Sequence, residues 1–114
     1  MSSNVWIKSG TVRNMFPEPG VLAITDGLRV YKDSPNTTFQ GVVTGTGAVG
    51  ATIVIEASND GATWVATPLG TITLSGTTSS SDGFTTSNAP WKYVRARVTA
   101  ISGTGAVAQV YYGV

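Results

Sequence analysis

With 114 residues, seven basic and six acidic side chains and a net charge of +1, the chain fits one domain with one modest core. That balance gives no electrostatic case for nucleic acid or an anionic membrane. Cysteine and histidine are both absent, which excludes disulfides, thiolate nucleophiles and zinc–sulfur sites and removes the commonest general base and metal ligand.

No apolar stretch approaches the roughly 18 residues of a membrane span. The start, MSSNVWIKSG, lacks the basic and apolar blocks of a secretory signal. A soluble protein made in the cytoplasm is therefore expected. Abundant Thr, Ser and Gly, with few Lys and Glu, favours strands and tight turns over helices.

Residues 1–20 follow no clean period, and Pro17 and Pro19 exclude a helix or central strand there. They read as an extended N-terminal arm with a short strand near Val5–Lys8. Such an arm either folds back as an edge strand or docks on a neighbouring subunit through Trp6, Ile7, Met15 and Phe16. Residues 21–114 then form a single domain. Val21–Ile24 and Leu28–Tyr31 flank Asp26-Gly27, a hairpin signal. After the KDSPNT loop come strands at Phe39–Thr44 and Thr52–Ser58, with GTGAVG between them as a turn. Ile53, Ile55 and Ala57 share one face of the second. Asp60-Gly61 signals the next turn, Thr63–Val65 a return strand, and Thr71–Leu74 its continuation beyond Pro68.

The polar stretch 75–88, SGTTSSSDGFTTSN, reads as a surface loop pinned at Phe84. The last quarter reads as a hairpin. Val94, Ala96, Val98 and Ala100 lie on one face of its first strand, with Tyr93, Arg95 and Arg97 on the other. Ser102-Gly103-Thr104-Gly105 is the expected turn, and Gln109–Tyr112 the returning strand. VTGTGAV at 43–49 echoes ISGTGAV at 101–107, which reads either as a duplicated hairpin or, since the flanking residues match poorly, as one turn chemistry used twice. Seven to nine short strands at this spacing predict an all-β fold, an antiparallel β-sandwich of Ig-like or jelly-roll type.

Little in the chain signals chemistry. Of the six carboxylates, Asp26, Asp33, Asp60 and Asp82 read as turn or loop residues, Glu18 lies in the arm between Pro17 and Pro19, and Glu56 alone sits mid-strand. Serine nucleophiles lack a base, and the lysines stand in no S-x-x-K arrangement. GTGAVG matches neither phosphate-binding glycine motif. SNDGATW at 58–64 resembles the Asp-box of β-propeller glycosidases, one residue short, and that box is a folding element. Arg95 and Arg97 need an opposing charge, such as Glu56 across the sheet or an acidic neighbour. No catalytic residue, metal ligand or cofactor is assigned.

From Ala51 to Val114 the chain resembles small virion proteins of phages and prophages. The segments that carry the likeness are SNDGATW (58–64), GTITLSGTTSSSDGF (70–84), APWKYVRARVTAISGTGA (89–106) and VYYGV. The resemblance implies a non-enzymatic β-sandwich that decorates or cements a capsid. Its partner would be the major capsid protein, its state a homodimer or homotrimer, and its place the capsid surface. The partner-binding residues expected on this basis are Trp6, Ile7, Met15, Phe16, Tyr93, Arg95 and Arg97. Two alternatives are a tail or baseplate component and a carbohydrate-binding module, which would use Trp64, Trp91 or Tyr111/Tyr112 as an aromatic platform.

Overall fold

The structure, a computed structural model, describes residues 12–17, 19–27, 29–32 and 34–114. Among them the fold is all-β and antiparallel. Its strands are β1 (Val12–Asn14), β2 (Thr25–Asp26), β3 (Val30–Tyr31), β4 (Thr37–Ser58), β5 (Gly70–Thr86) and β6 (Tyr93–Gly113). All six belong to one sheet, in which β6 lies between β4 and the three short strands, and β5 forms the far edge.

Three expected breaks are not breaks. Thr37–Ser58 is one strand of 22 residues, and Tyr93–Gly113 is one strand of 21. The last quarter is therefore not a hairpin. Both halves of β6 pair with β4, and neither pairs with the other. The Gly-rich stretches bend the chain without reversing it, because the ladder on the neighbouring strand continues past them. The echo between 43–49 and 101–107 lands on this bend, where Thr46 of β4 faces Thr104 of β6. Residues 75–86 are strand rather than loop, since they complete β5 along the first half of β4. As an edge strand exposed over most of its length, β5 accepts Ser and Thr nearly throughout.

A fully extended strand of 22 residues would reach about 70 Å at ~3.3 Å per residue. The molecule measures only 39 × 34 × 20 Å, so the long strands fold over. The crease crosses all three. Residues 45–47 of β4 stand opposite Thr78 of β5, and residues 47–49 opposite Gly103 of β6. Thr78 and Gly103 take positive φ, 64° and 115°, as do Gly47 and Gly105. Folding brings the two halves of the sheet face to face. A Cβ built on Gly41, in the first half of β4, would lie 3.0 Å from Ile72 Cγ2 and 3.3 Å from Ile53 Cδ1 in the second half.

The core fills this fold. In β4 the odd-numbered Phe39, Val43, Val49, Ala51, Ile53, Ile55 and Ala57 point inward, and in β6 the even-numbered Val94, Ala96, Val98, Ala106, Ala108, Val110 and Tyr112. Ala100 departs from the expected inner face and is exposed. Thr52 pairs with Ala100 while Ile53 pairs with Val98, so Thr99 is an extra residue in β6. That bulge flips the alternation and turns the half-buried Ile101 toward the core.

The described N-terminal residues run antiparallel along both ends of the free edge of β6 and skip its middle. Val12 pairs with Gly113, Val21 bridges Ala108, Thr25 pairs with Val98 and Tyr31 with Tyr93. Asp26-Gly27 is thus not a hairpin turn: β2 and β3 are successive pieces of one interrupted edge strand. Gly27 N donates to Ala96 O at 2.9 Å, midway between them. An edge position also explains why Pro17 and Pro19 are accommodated.

Candidate functional site

The expected site residues divide into three sets. Trp6 and Ile7 lie outside the described residues. Met15 and Phe16 are only 3% and 4% exposed and belong to this chain's own core. They do not stand out as docking groups, because the edge strand folds them inward. The buried Gln109 amide pins that fold: its Oε1 accepts from Phe16 N at 3.1 Å and its Nε2 donates to Phe16 O at 3.0 Å. Tyr93, Arg95 and Arg97 occur together on the outer face of β6, as alternation predicts.

That face is a continuous polar and aromatic row. Glu56 lies directly across from Arg95, and Asp26 directly across from Arg97. Arg95 Nε donates to Glu56 Oε1 at 2.7 Å, Arg97 Nη1 to Glu56 Oε2 at 3.2 Å, and Arg97 Nε to Asp26 Oδ1 at 2.7 Å. The hydrogen bonds that Arg97 donates to Asp26 and Glu56, with the charges of those carboxylates, raise its pKa further above its ordinary value. The Arg95 guanidinium sits 4.6 Å from the Trp64 ring centre, and Arg29 lies 5.2 Å from that of Tyr93. Tyr31 meets Tyr93 edge to face at 5.8 Å. Glu56 is the hub, with a side chain 13% exposed against 63% for Asp26. Both Glu56 oxygens accept from guanidinium groups, so neither is poised as a base.

Sequence reasoning anticipated Glu56 as the opposing charge. It did not anticipate Arg29, Tyr31, Asp26 or Trp64 in the same row. The signal was available for Tyr31 in its aromatic, strand-favouring character. Arg29 and Trp64 arrive from loops whose position only the folded sheet determines. The SNDGATW segment is a local knot. Asp60 Oδ1 accepts from Ala62 N (2.9 Å), Thr63 N (2.7 Å) and Ser58 Oγ (2.8 Å). These bonds, led by the one from Ala62, hold the Asp60 carboxyl well below the usual carboxylate range. The expected return strand at Thr63–Val65 is instead part of an irregular connection between β4 and β5. That connection touches β4 through Val65 N to Ala57 O at 2.9 Å and Leu69 N to Ile55 O at 2.8 Å.

A second surface was not foreseen. Among the described residues the large apolar side chains left exposed are Val12 (67%), Leu22 (70%), Ile24 (67%) and Tyr31 (54%). All four lie on the edge segment that borders β6. No group of three or more metal-ligating side chains gathers among the described residues, and no described helix is long and apolar enough to cross a membrane. Of the residues considered for an aromatic platform, Tyr112 is fully buried and Trp64 sits beneath Arg95. Comparison with protein families, with characterised proteins and with solved structures finds no match.

Proposed function

We propose that the chain is a non-enzymatic structural protein of a bacteriophage virion, a decoration or cement protein that binds the capsid shell and stabilises it. One observation carries the reading: among the described residues the exposed large apolar side chains, Val12, Leu22, Ile24 and Tyr31, all lie on the segment that borders β6, from its Gly113 end to its Tyr93 end. Scattered singly they would need no explanation. Along one edge, with no described strand beyond it, they suit docking on the major capsid protein. The likeness of residues 51–114 to phage virion proteins supports the same reading. Burial of Leu22 and Ile24 would contribute about 1.5–3 kcal/mol each. A homodimer or homotrimer on a symmetry axis would multiply that contribution by avidity. Tyr93, Arg95 and Arg97 serve as a rim, since the Arg95 and Arg97 charges are already paired within the chain.

The test is a count of copies in purified particles, with wild-type chain and with a Leu22→Glu/Ile24→Glu double variant. The wild type should be present at on the order of hundreds of copies per particle, as a shell lattice requires. The variant should keep its melting temperature and be lost from sedimented particles. Absence of the wild type from virions, a number fitting only a tail, or undiminished binding of the variant would each overturn the proposal.

A further inference from the structure

An open groove of about 400 Å3 lies at one end of the sheet, lined by Asn59, Asn88, Ala89, Pro90 and Trp91. Its size falls within the ~300–1,000 Å3 of small-molecule sites. We propose that this groove binds a neutral saccharide, one pyranose ring lying on the half-buried Trp91 indole with its hydroxyls on the Asn59 and Asn88 amides.

The chemistry of the lining carries the assignment. None of its residues is charged, so a phosphate or carboxylate entering it would lose water without gaining an opposite charge. An indole beside two primary amides offers what a sugar presents: an apolar ring face and a fringe of hydroxyls that both donate and accept. The amides retain capacity for this. Asn59 Oδ1 accepts from Lys92 N at 3.1 Å, which leaves both Nδ2 hydrogens to donate. The Asn88 side chain has no hydrogen-bond partner among the described residues, since its contact with Asn36 Oδ1 comes from the backbone N–H. Trp64 is occupied by Arg95, whereas Trp91 lines this groove.

The wall is also preset, which lowers the cost of ordering it on binding. Lys32 is 4% exposed, and burial pushes its ammonium below the usual lysine range. Its Nζ donates to Ser34 O at 2.6 Å and to Ala89 O in the groove wall. Lys32 N donates to Lys92 O at 2.7 Å, and Ala89 N to Pro35 O at 3.2 Å. A buried cation and two backbone bonds thus hold Ala89 and Lys92 against Lys32 and Pro35. None of Val12, Leu22, Ile24 and Tyr31 lines this groove, so failure of shell docking would leave it untouched.

The experiment is a titration of the isotope-labelled full chain, followed by NMR at the Trp91 indole N–H and the Asn59 and Asn88 side-chain amides. The probes are neutral hexoses, N-acetylhexosamines and their disaccharides, with glucuronate and adenosine for comparison. At least one neutral sugar should shift all three signals saturably. Trp91→Ala should weaken binding at least tenfold, and Trp64→Ala should leave it unchanged. The core methyl signals of Ile53 and Ile72 report whether each variant is folded, and the wild-type titration stands without them. The proposal is overturned if no neutral sugar moves these signals, if glucuronate or adenosine binds more tightly than every sugar, or if Trp64→Ala abolishes binding.

Discussion

The face-to-face packing of the two sheet halves is tested most directly at Gly41. A Cβ at this position would sit 3.0 Å from Ile72 Cγ2, 3.3 Å from Ile53 Cδ1 and 3.4 Å from Ile72 Cδ1. Optimal carbon–carbon separation is about 3.5–4.0 Å. Gly41→Val therefore drives a branched side chain into a gap already filled by atoms from the opposite half. Overpacking of this kind costs about 1–3 kcal/mol. Replacing a strand glycine offsets roughly 0.5–1 kcal/mol of that through the unfolded chain. The net expectation is a loss of about 1–2 kcal/mol.

Ile72→Ala removes both Ile72 atoms that crowd position 41 and on its own costs about 2–5 kcal/mol. Combined, the new valine occupies the space the isoleucine vacated. The double variant should then be more stable than the sum of the single losses predicts, by about 1–3 kcal/mol of coupling. Urea unfolding of the four proteins with a common m value measures this. Within the sheet the two positions are far apart, since Gly41 pairs with Asp82 and Val110 while Ile72 pairs with Ile53. Additivity within ~0.5 kcal/mol would mean that the halves do not meet, and would refute the folded-over sheet.

Other perturbations probe the remaining features. Ala100→Asp should change stability by less than ~0.5 kcal/mol, while Ala96→Asp should cost at least about 4 kcal/mol by burying an unpaired carboxylate; equal effects in thermal melts would remove the bulge at Thr99. Glu56→Gln, which breaks the hub to Arg95, should cost about 1–3 kcal/mol. By contrast, Asp26→Asn, at a carboxylate 63% exposed, should stay within the error of the denaturation midpoint. Because the Asp60 pKa is depressed by folding, its contribution is complete above the ordinary carboxyl pKa and is lost as pH falls through the lower folded value. Asp60→Asn keeps an acceptor for the Ala62 and Thr63 amides, so melts from pH 5 down to pH 2 should show a shallower decline than in the wild type. Thr78→Gly, at a φ of 64°, should raise stability by up to about 1 kcal/mol, measured by urea unfolding.

Which residues face inward was largely legible in the sequence. Period-two alternation places Ile53, Ile55 and Ala57, and Val94, Ala96 and Val98, on one side of their strands, and all six are buried. The same alternation groups Tyr93, Arg95 and Arg97, and the lone mid-strand carboxylate, Glu56, is their partner. What local pattern does not carry is which strand lies alongside. Gly103 and Gly105 look like a chain reversal in isolation, and only the unbroken β4 neighbour makes them a bend. Residues 75–86 look like a loop because an edge strand needs few apolar residues, here the half-buried Phe84 near its end. Asp26 joins the site for the same long-range reason: its segment borders β6, a fact that Asp-Gly by itself does not contain.

The echo between VTGTGAV and ISGTGAV has a physical explanation in this arrangement. Two paired strands can fold over only if both yield at the same level, or the ladder between them breaks. In β4 the yielding residues are surplus ones, 45–47 facing Thr78 and 47–49 facing Gly103. The flanking strands each place a single residue opposite the surplus, and each of those residues takes a positive φ. Glycine meets that demand freely in β6, whereas β5 meets it with a threonine at a conformational cost. Shared bending, rather than duplicated hairpins, is therefore sufficient to account for the likeness. The crease buries the apolar faces of β4 and β6 in one core and leaves the outer row of Arg95, Arg97 and Glu56 facing solvent. Along the free edge of β6 it leaves only the interrupted segment that carries Leu22 and Ile24. Among the described residues, a closed core beside an edge segment that exposes Leu22 and Ile24 is the physical basis for proposing that this chain docks on a partner.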